Sequence, residues 1–173
     1  LILCTGKFTK KISEYQAQTK EYTGVITLGA TTPSYDLETE IDQTYSIAHL
    51  SEEMIHETAL QFVGEQNQRP PIFSALKKDG KRLYELARAG ETTEIPTRKI
   101  QIDAFEITKI SMPDVHFRVL CSKGTYIRSL AYDFGKALES GGHLSALRRT
   151  KIGDFSVEDS MGIESFIAAL KES

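Results

Sequence analysis

Cysteine is scarce in this 173-residue chain; Cys4 and Cys121 are the two present. Both sit in strand-like apolar context, so they read as buried free thiols of a cytoplasmic protein and not as a disulfide framework. The four histidines, His49, His56, His116 and His143, are scattered, and no Cys/His group has metal-ligand spacing. No apolar run approaches membrane-spanning length, and no signal peptide is visible. Repeats and low-complexity stretches do not occur. A phosphate-cradling glycine loop, a G-x-S-x-G elbow and an H-E-x-x-H pair are all missing. A large charge of either sign is missing too: 21 basic against 24 acidic residues leave a net charge of −3. Taken alone, that balance argues against a nucleic-acid partner.

The distribution of charge says more than its sum. Lys7, Lys10 and Lys11 cluster, as do Lys77, Lys78, Lys81 and Arg82, and then Arg148, Arg149 and Lys151. Acidic residues concentrate over 36–57 and 158–172. A basic face on an acidic protein fits this layout, although each cluster also reads as the solvated side of a helix. With 40% hydrophobic and 26% charged residues, the chain is long enough for one domain with a real core.

Periodicity supplies the elements. Residues 1–4 read as a buried strand, 5–18 as a helix, and 21–29 as a strand ended by Gly29. A polar loop spans 30–45. Ser51 is suited to cap a helix whose stripe is Ile55, Ala59, Phe62 and Val63, with Gly64 as its stop. Pro70-Pro71 excludes regular structure around 65–72. A helix is expected over about 80–89, two long strands at 98–110 and 115–121, and a helix at 125–138. A short helix at 143–148 leads to a strand near 150–157, and Ser160 is suited to cap a final helix at 161–171. Without strict strand–helix alternation the class is α+β.

The stretch Cys121-Ser-Lys-Gly-Thr-Tyr-Ile-Arg128 carries the most chemistry. It joins a strand end to a helix start, a rigid mount for a side chain. Arg128 falls in the first helical turn, where a cation opposes the helix dipole and calls for an anion, although by spacing alone it reads equally as an ordinary surface arginine. Tyr22 becomes more than packing only if its ring faces a cleft, where it stacks on a base. Asp36 lies in a Thr/Ser-rich loop, where aspartates ordinarily form local turns. The segment from Arg69 to Tyr84 mixes basic and aromatic residues beside Pro70-Pro71, which suits RNA backbone contact. Lys123, Tyr126 and Arg128 repeat that theme, as do His143, Arg148 and Arg149.

Together these pieces resemble the bacterial TruB family of tRNA pseudouridine synthases. The ordered set is Lys20-Glu-Tyr22, Thr32-x-Ser34-x-Asp36, Pro70-Pro-Ile-Phe-Ser-Ala-Leu-Lys77, Gly80-Lys-Arg-Leu-Tyr84, Cys121 to Arg128, and Gly142-His-Leu-x-x-Leu147-Arg-Arg149. The resemblance implies an α+β catalytic domain around a mixed, mostly antiparallel sheet. It implies modification of the T-loop uridine at tRNA position 55, by base flipping and an Asp nucleophile, with neither metal nor organic cofactor. By position, Tyr22 would stack on the flipped base, and Tyr126 and Leu147 would line the uracil pocket. Arg128 would hold the nucleophilic Asp ionised and aimed, with Asp36 on the other side of the guanidinium. Lys77, Lys78, Lys81, Arg82, Lys123, His143, Arg148 and Arg149 would meet RNA. The expected partner is the T arm of tRNA, bound by a cytoplasmic monomer with no membrane association.

One departure matters. The family nucleophile sits in a G-x-L-D-x-x-A-T-G segment, and Leu1-Ile-Leu-Cys-Thr-Gly6 resembles the residues just after that segment. The expectation is that residues 1–173 are the C-terminal portion of a catalytic domain, that the nucleophile precedes Leu1, and that no C-terminal RNA-binding domain is evident. These residues alone would then be inactive. Two other readings stay open: a non-catalytic RNA-binding or RNA-folding module on this scaffold, and an unrelated α+β domain.

Overall fold

The computed structural model describes residues 1–74, 77–78, 81–82 and 95–171, with 77–78 and 81–82 described by backbone pairing alone. A 3-10 turn, Gly6–Lys11, leads into α1, Ile12–Ala17, and then β1, Lys20–Leu28. Two short strands, β2 (Ala30–Thr31) and β3 (Gln43–Thr44), pair across the polar loop. Next come α2 (Glu52–Gln61) and β4 (Gly64–Gln68). A small hairpin pairs β5 (Lys77–Lys78) with β6 (Lys81–Arg82). The long strands β7 (Arg98–Ser111) and β8 (Asp114–Cys121) precede α3 (Ile127–Ala137). The chain closes with β9 (Gly142–Ile152), β10 (Phe155–Ser156), a 3-10 turn at Val157–Asp159 and α4 (Ile163–Lys171).

Six strands form one sheet in the order β10-β9-β1-β8-β7-β4, and every neighbouring pair runs antiparallel. A parallel contact appears as the isolated bridge between Asp36 and Leu144. The α+β class expected from the sequence is what the chain adopts.

Strand alternation builds the core. Val115, Phe117, Val119 and Cys121 of β8 are buried, while the residues between them are half-buried. Ile26 and Leu28 of β1 share that face, as do Ile100, Ile102 and Phe105 of β7. Ile55 and Ala59 of α2, with Ile127, Leu130, Ala131 and Phe134 of α3, close over it. Ser51 caps α2 by accepting the Met54 N–H at 3.2 Å, a contact that contributes about 1 kcal/mol.

Burial pushes the Cys121 thiol up to about 11. We expect alkylation at pH 8 to leave Cys121 unlabelled in the folded protein, as read by mass spectrometry. The sign of the linkage is also set: the folded state keeps the proton longer than the unfolded chain. Stability from this group is therefore lost as pH rises from the ordinary thiol value of 9.0 toward 11.

Several elements differ from the sequence expectation. Residues 1–4 form no strand among the described residues, and Leu1 is 97% exposed. An apolar run of four carries no period, so it cannot separate strand from coil. Residues 64–68 pair with β7 although Gly-Glu-Gln-Asn-Gln has little strand propensity. The helix expected over 80–89 lies outside the described residues, apart from Lys81–Arg82, which pair as strand. No helix forms at 143–148; these residues belong to β9. The final helix is present, yet Ile163, Phe166, Ile167 and Leu170 are exposed among the described residues, not core. Ser160 closes the preceding 3-10 turn, donating from its hydroxyl to the Val157 carbonyl.

Candidate active site

The turn before α3 is built to fix its first residues. Thr125 Oγ1 donates to the Ser122 carbonyl at 2.9 Å, and Gly124 adopts φ +81°, which a side chain would strain. The buried Gln68 amide holds both backbone groups of Tyr126: its oxygen accepts the Tyr126 N–H at 2.8 Å and its nitrogen donates to the carbonyl at 3.0 Å. Ser129 Oγ donates to the Arg69 carbonyl at 2.8 Å. Gln68 is a supporting residue that sequence reasoning missed, because a glutamine at a strand end carries no pattern.

Arg128 therefore starts from a clamped backbone. Its Nη2 donates to the Phe73 carbonyl at 2.8 Å, and its Nη1 lies 3.2 Å from Asp36 Oδ2 and 3.4 Å from the Ser34 carbonyl. Both side chains of the ion pair are mostly buried, at 21% and 25% exposure. The partner anion that the first-turn position called for is thus Asp36, held on one side of the guanidinium. No hydrogen bond falls on Nε among the described residues.

Asp36 is fixed by its own loop. Thr32 Oγ1 and Ser34 Oγ donate to its carbonyl at 2.7 and 3.1 Å, and Asp36 Oδ1 accepts the Glu38 N–H at 3.0 Å. The loop is tied to β9 by the Leu144 N–H donating to the Tyr35 carbonyl at 2.9 Å. The local-turn role and the ion pair coexist in one carboxylate. Asp36, Arg128, Leu144 and Leu147 share the wall of an open cavity of about 400 Å³.

The other candidates separate into groups. Tyr22 is half-buried on β1, opposite Val119 on one side and Arg149 on the other. Burial pushes its phenol up, while the Arg149 guanidinium at its hydroxyl pulls it down. Lys123 and Arg149 lie with Lys20 around a second cavity of about 340 Å³. Burial, with help from Arg149, holds the Lys20 ammonium below its usual range. Tyr126 carries the Arg98 guanidinium 5.1 Å over its ring and is absent from the residues around the Arg128 cavity. Arg148 pairs with Thr23 on the opposite face of the sheet from Arg149. Lys77, Lys78, Lys81 and Arg82 are placed by the β5–β6 pairing, with Lys77 across from Arg82 and Lys78 across from Lys81.

His143 calls for a correction. It is buried, and its Nδ1 lies 3.1 Å from the Ala30 carbonyl, so the ring joins β9 to β2 and is withdrawn from any RNA surface. Its motif neighbours, Gly142 and Leu144, are buried with it.

Fold and site together define a class: an α+β domain with an arginine–carboxylate pair set in the wall of a sheet-borne cavity. Two family models match the chain end to end. The TruB family pseudouridylate synthase N-terminal domain covers residues 1–127, and the tRNA pseudouridylate synthase B C-terminal domain covers 128–173. The chain belongs to the TruB family, whose members are tRNA pseudouridine synthases, isomerases that convert a tRNA uridine to pseudouridine. It is 66% identical over 171 residues to tRNA pseudouridine synthase B of Flavobacterium johnsoniae, covering 99% of this chain and 75% of that protein. Against the enzyme of the same name from Phocaeicola vulgatus it is 52% identical over 166 residues, covering 96% and 71%. Among solved structures it matches a chain of a Cbf5-Nop10-Gar1 complex with TM-score 0.67 and 28% identity, covering 94% of this chain and 39% of that one. It also matches an H/ACA RNP bound to a substrate RNA containing 2'-deoxyuridine, with TM-score 0.65 and 25% identity, over 96% of this chain and 39% of the other.

Proposed function

We propose that the protein containing this chain converts the T-loop uridine at tRNA position 55 to pseudouridine. The observation that carries this reading is the Arg128–Asp36 pair on the wall of the Leu147 cavity. Both terminal nitrogens of its guanidinium are held, Nη1 by Asp36 and Ser34 and Nη2 by Phe73, which leaves Nε without a hydrogen bond among the described residues. Nε and its neighbouring N–H edge then suit a second carboxylate, the nucleophile. On this reading that aspartate lies outside residues 1–173. Its carboxylate attacks the ribose C1′ of the flipped uridine as the N1 glycosidic bond breaks, the uracil turns, and C5 bonds to C1′ as the C1′–carboxylate bond breaks and frees the aspartate. C5 gives up its proton and N1 gains one, so the reaction is an isomerisation that consumes nothing. Leu147 packs against the base, Tyr22 offers a ring face, and Lys123, Arg149 and the β5–β6 cations meet phosphates. We place the enzyme in the cytoplasm, acting as a monomer on the T arm.

The test is a full-length protein incubated with T-arm RNA, with pseudouridine counted by mass spectrometry. We expect stoichiometric conversion at one uridine, and none from residues 1–173 alone. Lys123→Ala with Arg149→Ala should weaken binding and flatten its dependence on salt by roughly one to two units of log–log slope. RNA binding by the full-length protein with no isomerisation would replace this reading with that of an RNA-binding module.

A further inference from the structure

Strand β9 pairs with β1 along its whole length, but its register slips twice. Val25 faces Ala146 while Ile26 faces Leu144, so Ser145 is an extra residue. Glu21 faces Lys151 while Tyr22 faces Arg149, so Thr150 is a second one. Each extra residue is a β-bulge, and each reverses which side of the sheet the following side chains take. Between the bulges, Leu147 and Arg149 therefore share the side of Gly24 and Tyr22. Without the first bulge, Leu144 would stay inward and alternation would put Ala146 and Arg148 on that side instead. Gly24 leaves no room for a side chain: a Cβ there would strike the Ala146 carbonyl oxygen and the Phe117 ring.

Both extra residues carry hydroxyls, and both hydroxyls are held. Ser145 Oγ accepts from Thr27 Oγ1 at 2.8 Å and donates to the Val25 carbonyl at 3.3 Å. Thr27 Oγ1 also lies 2.7 Å from Asp114 Oδ1. Thr150 Oγ1 donates to Glu21 Oε1 at 2.8 Å. Glu21 is almost fully buried, and its other oxygen takes Arg118 Nη2 at 2.6 Å and Nε at 3.0 Å. Arg118 reaches on to both Glu106 oxygens at 3.1 Å. A polar chain thus crosses four adjacent strands, from β9 through β1 and β8 to β7, on the face opposite the core. The Thr150 hydroxyl, ahead of the Arg118 guanidinium, holds the Glu21 carboxyl below the usual carboxylate range despite its burial.

We propose that Thr150 and Glu21 are positioning residues for the pseudouridine site: they lock the second β9 bulge, which together with the Ser145 bulge keeps Arg149 beside Tyr22 and on the Lys20–Lys123 side. This rests on the function proposed above for the site, but the locking itself is read from register and hydrogen bonds. Thr150 touches neither cavity through that hydroxyl; it acts through Arg149.

A double-mutant cycle in the full-length protein tests it. Thr150→Val keeps the shape and removes the hydroxyl. It should weaken T-arm RNA binding about tenfold, the worth of one charge-assisted contact, with the change in KM and not in kcat. Thr150→Ser should restore affinity to within about twofold. Combined with Arg149→Ala, Thr150→Val should add nothing further, because the cation it positions is gone. Glu21→Gln, which keeps an acceptor but loses the Arg118 ion pair, should fall between. Additive losses in the cycle, or unchanged affinity in Thr150→Val, would overturn the proposal. The cycle is read on RNA Kd as well as on turnover. A parent protein that binds without isomerising would sink the functional reading and still leave the bulge proposal decided by Kd.

Discussion

Arg128→Lys in the full-length protein is expected to lower single-turnover pseudouridine formation by roughly 10²–10³-fold, with RNA affinity changed by less than about threefold. The reason is geometric. Arg128 uses separate nitrogens for the Phe73 carbonyl and for the Asp36 carboxylate, and the same Nη1 reaches the Ser34 carbonyl. A lysine ammonium is one point with no planar fork. It would satisfy one of these partners and leave either Phe73 or Asp36 short of a donor. Charge would be conserved, so long-range attraction for RNA would persist. On the function proposed above, what disappears is the aim of a second carboxylate against the base. Rates are to be measured with enzyme in excess, and Kd by titration at fixed salt. Turnover equal to the parent's would remove Arg128 from the active site.

These site residues are unequally legible in the sequence. Arg128 is legible because a strand period ends at Cys121, as β8 does, and a helical period follows; the helix expected from 125 begins at Ile127. Asp36 is legible by resemblance alone, since its loop has no period; hydroxyls from Thr32 and Ser34 shape it. Strand β9 misleads a periodic reading for a physical reason. A bulge adds a residue, so Leu144 and Leu147 share a side at a spacing of three, the spacing of a helix. Arg148 and Arg149 look like one basic cluster, but within a strand adjacent side chains part to opposite faces. His143 falls in with them by proximity, while its imidazole is committed to Ala30. The stripe of α4 correctly signals a helix and wrongly signals core, because periodicity reports an apolar side and not what covers it.

Phe134→Ala is expected to destabilise the fold by about 3–5 kcal/mol, the range for deleting a fully buried aromatic ring. Phe134 has no exposure and sits where α3 meets the sheet and α2. Its ring lies 5.4 Å from that of Phe105 on β7 and 6.1 Å from that of Phe62, just after α2, both edge-on. Phe105 in turn meets Phe117 of β8 at 5.8 Å. Removing Phe134 therefore opens a cavity and breaks the two contacts that tie α3 into this aromatic chain. Neighbouring rings cannot slide in without leaving β7 or α2. For a domain of this size the loss corresponds to a fall in Tm of roughly 6–20 °C. Thermal unfolding of the full-length protein checks it, with Phe134→Leu as the volume-retaining control and a smaller loss expected. The consequence reaches function through one element, since α3 carries Arg128 in its first turn and Phe134 further along the same helix. A loosened α3 should lower turnover at temperatures where the protein is still folded, whereas Arg128→Lys should lower it without moving Tm by a comparable amount. A Phe134→Ala protein with unchanged Tm would mean that α3 is held by its Gln68 and Ser129 contacts and not by the core.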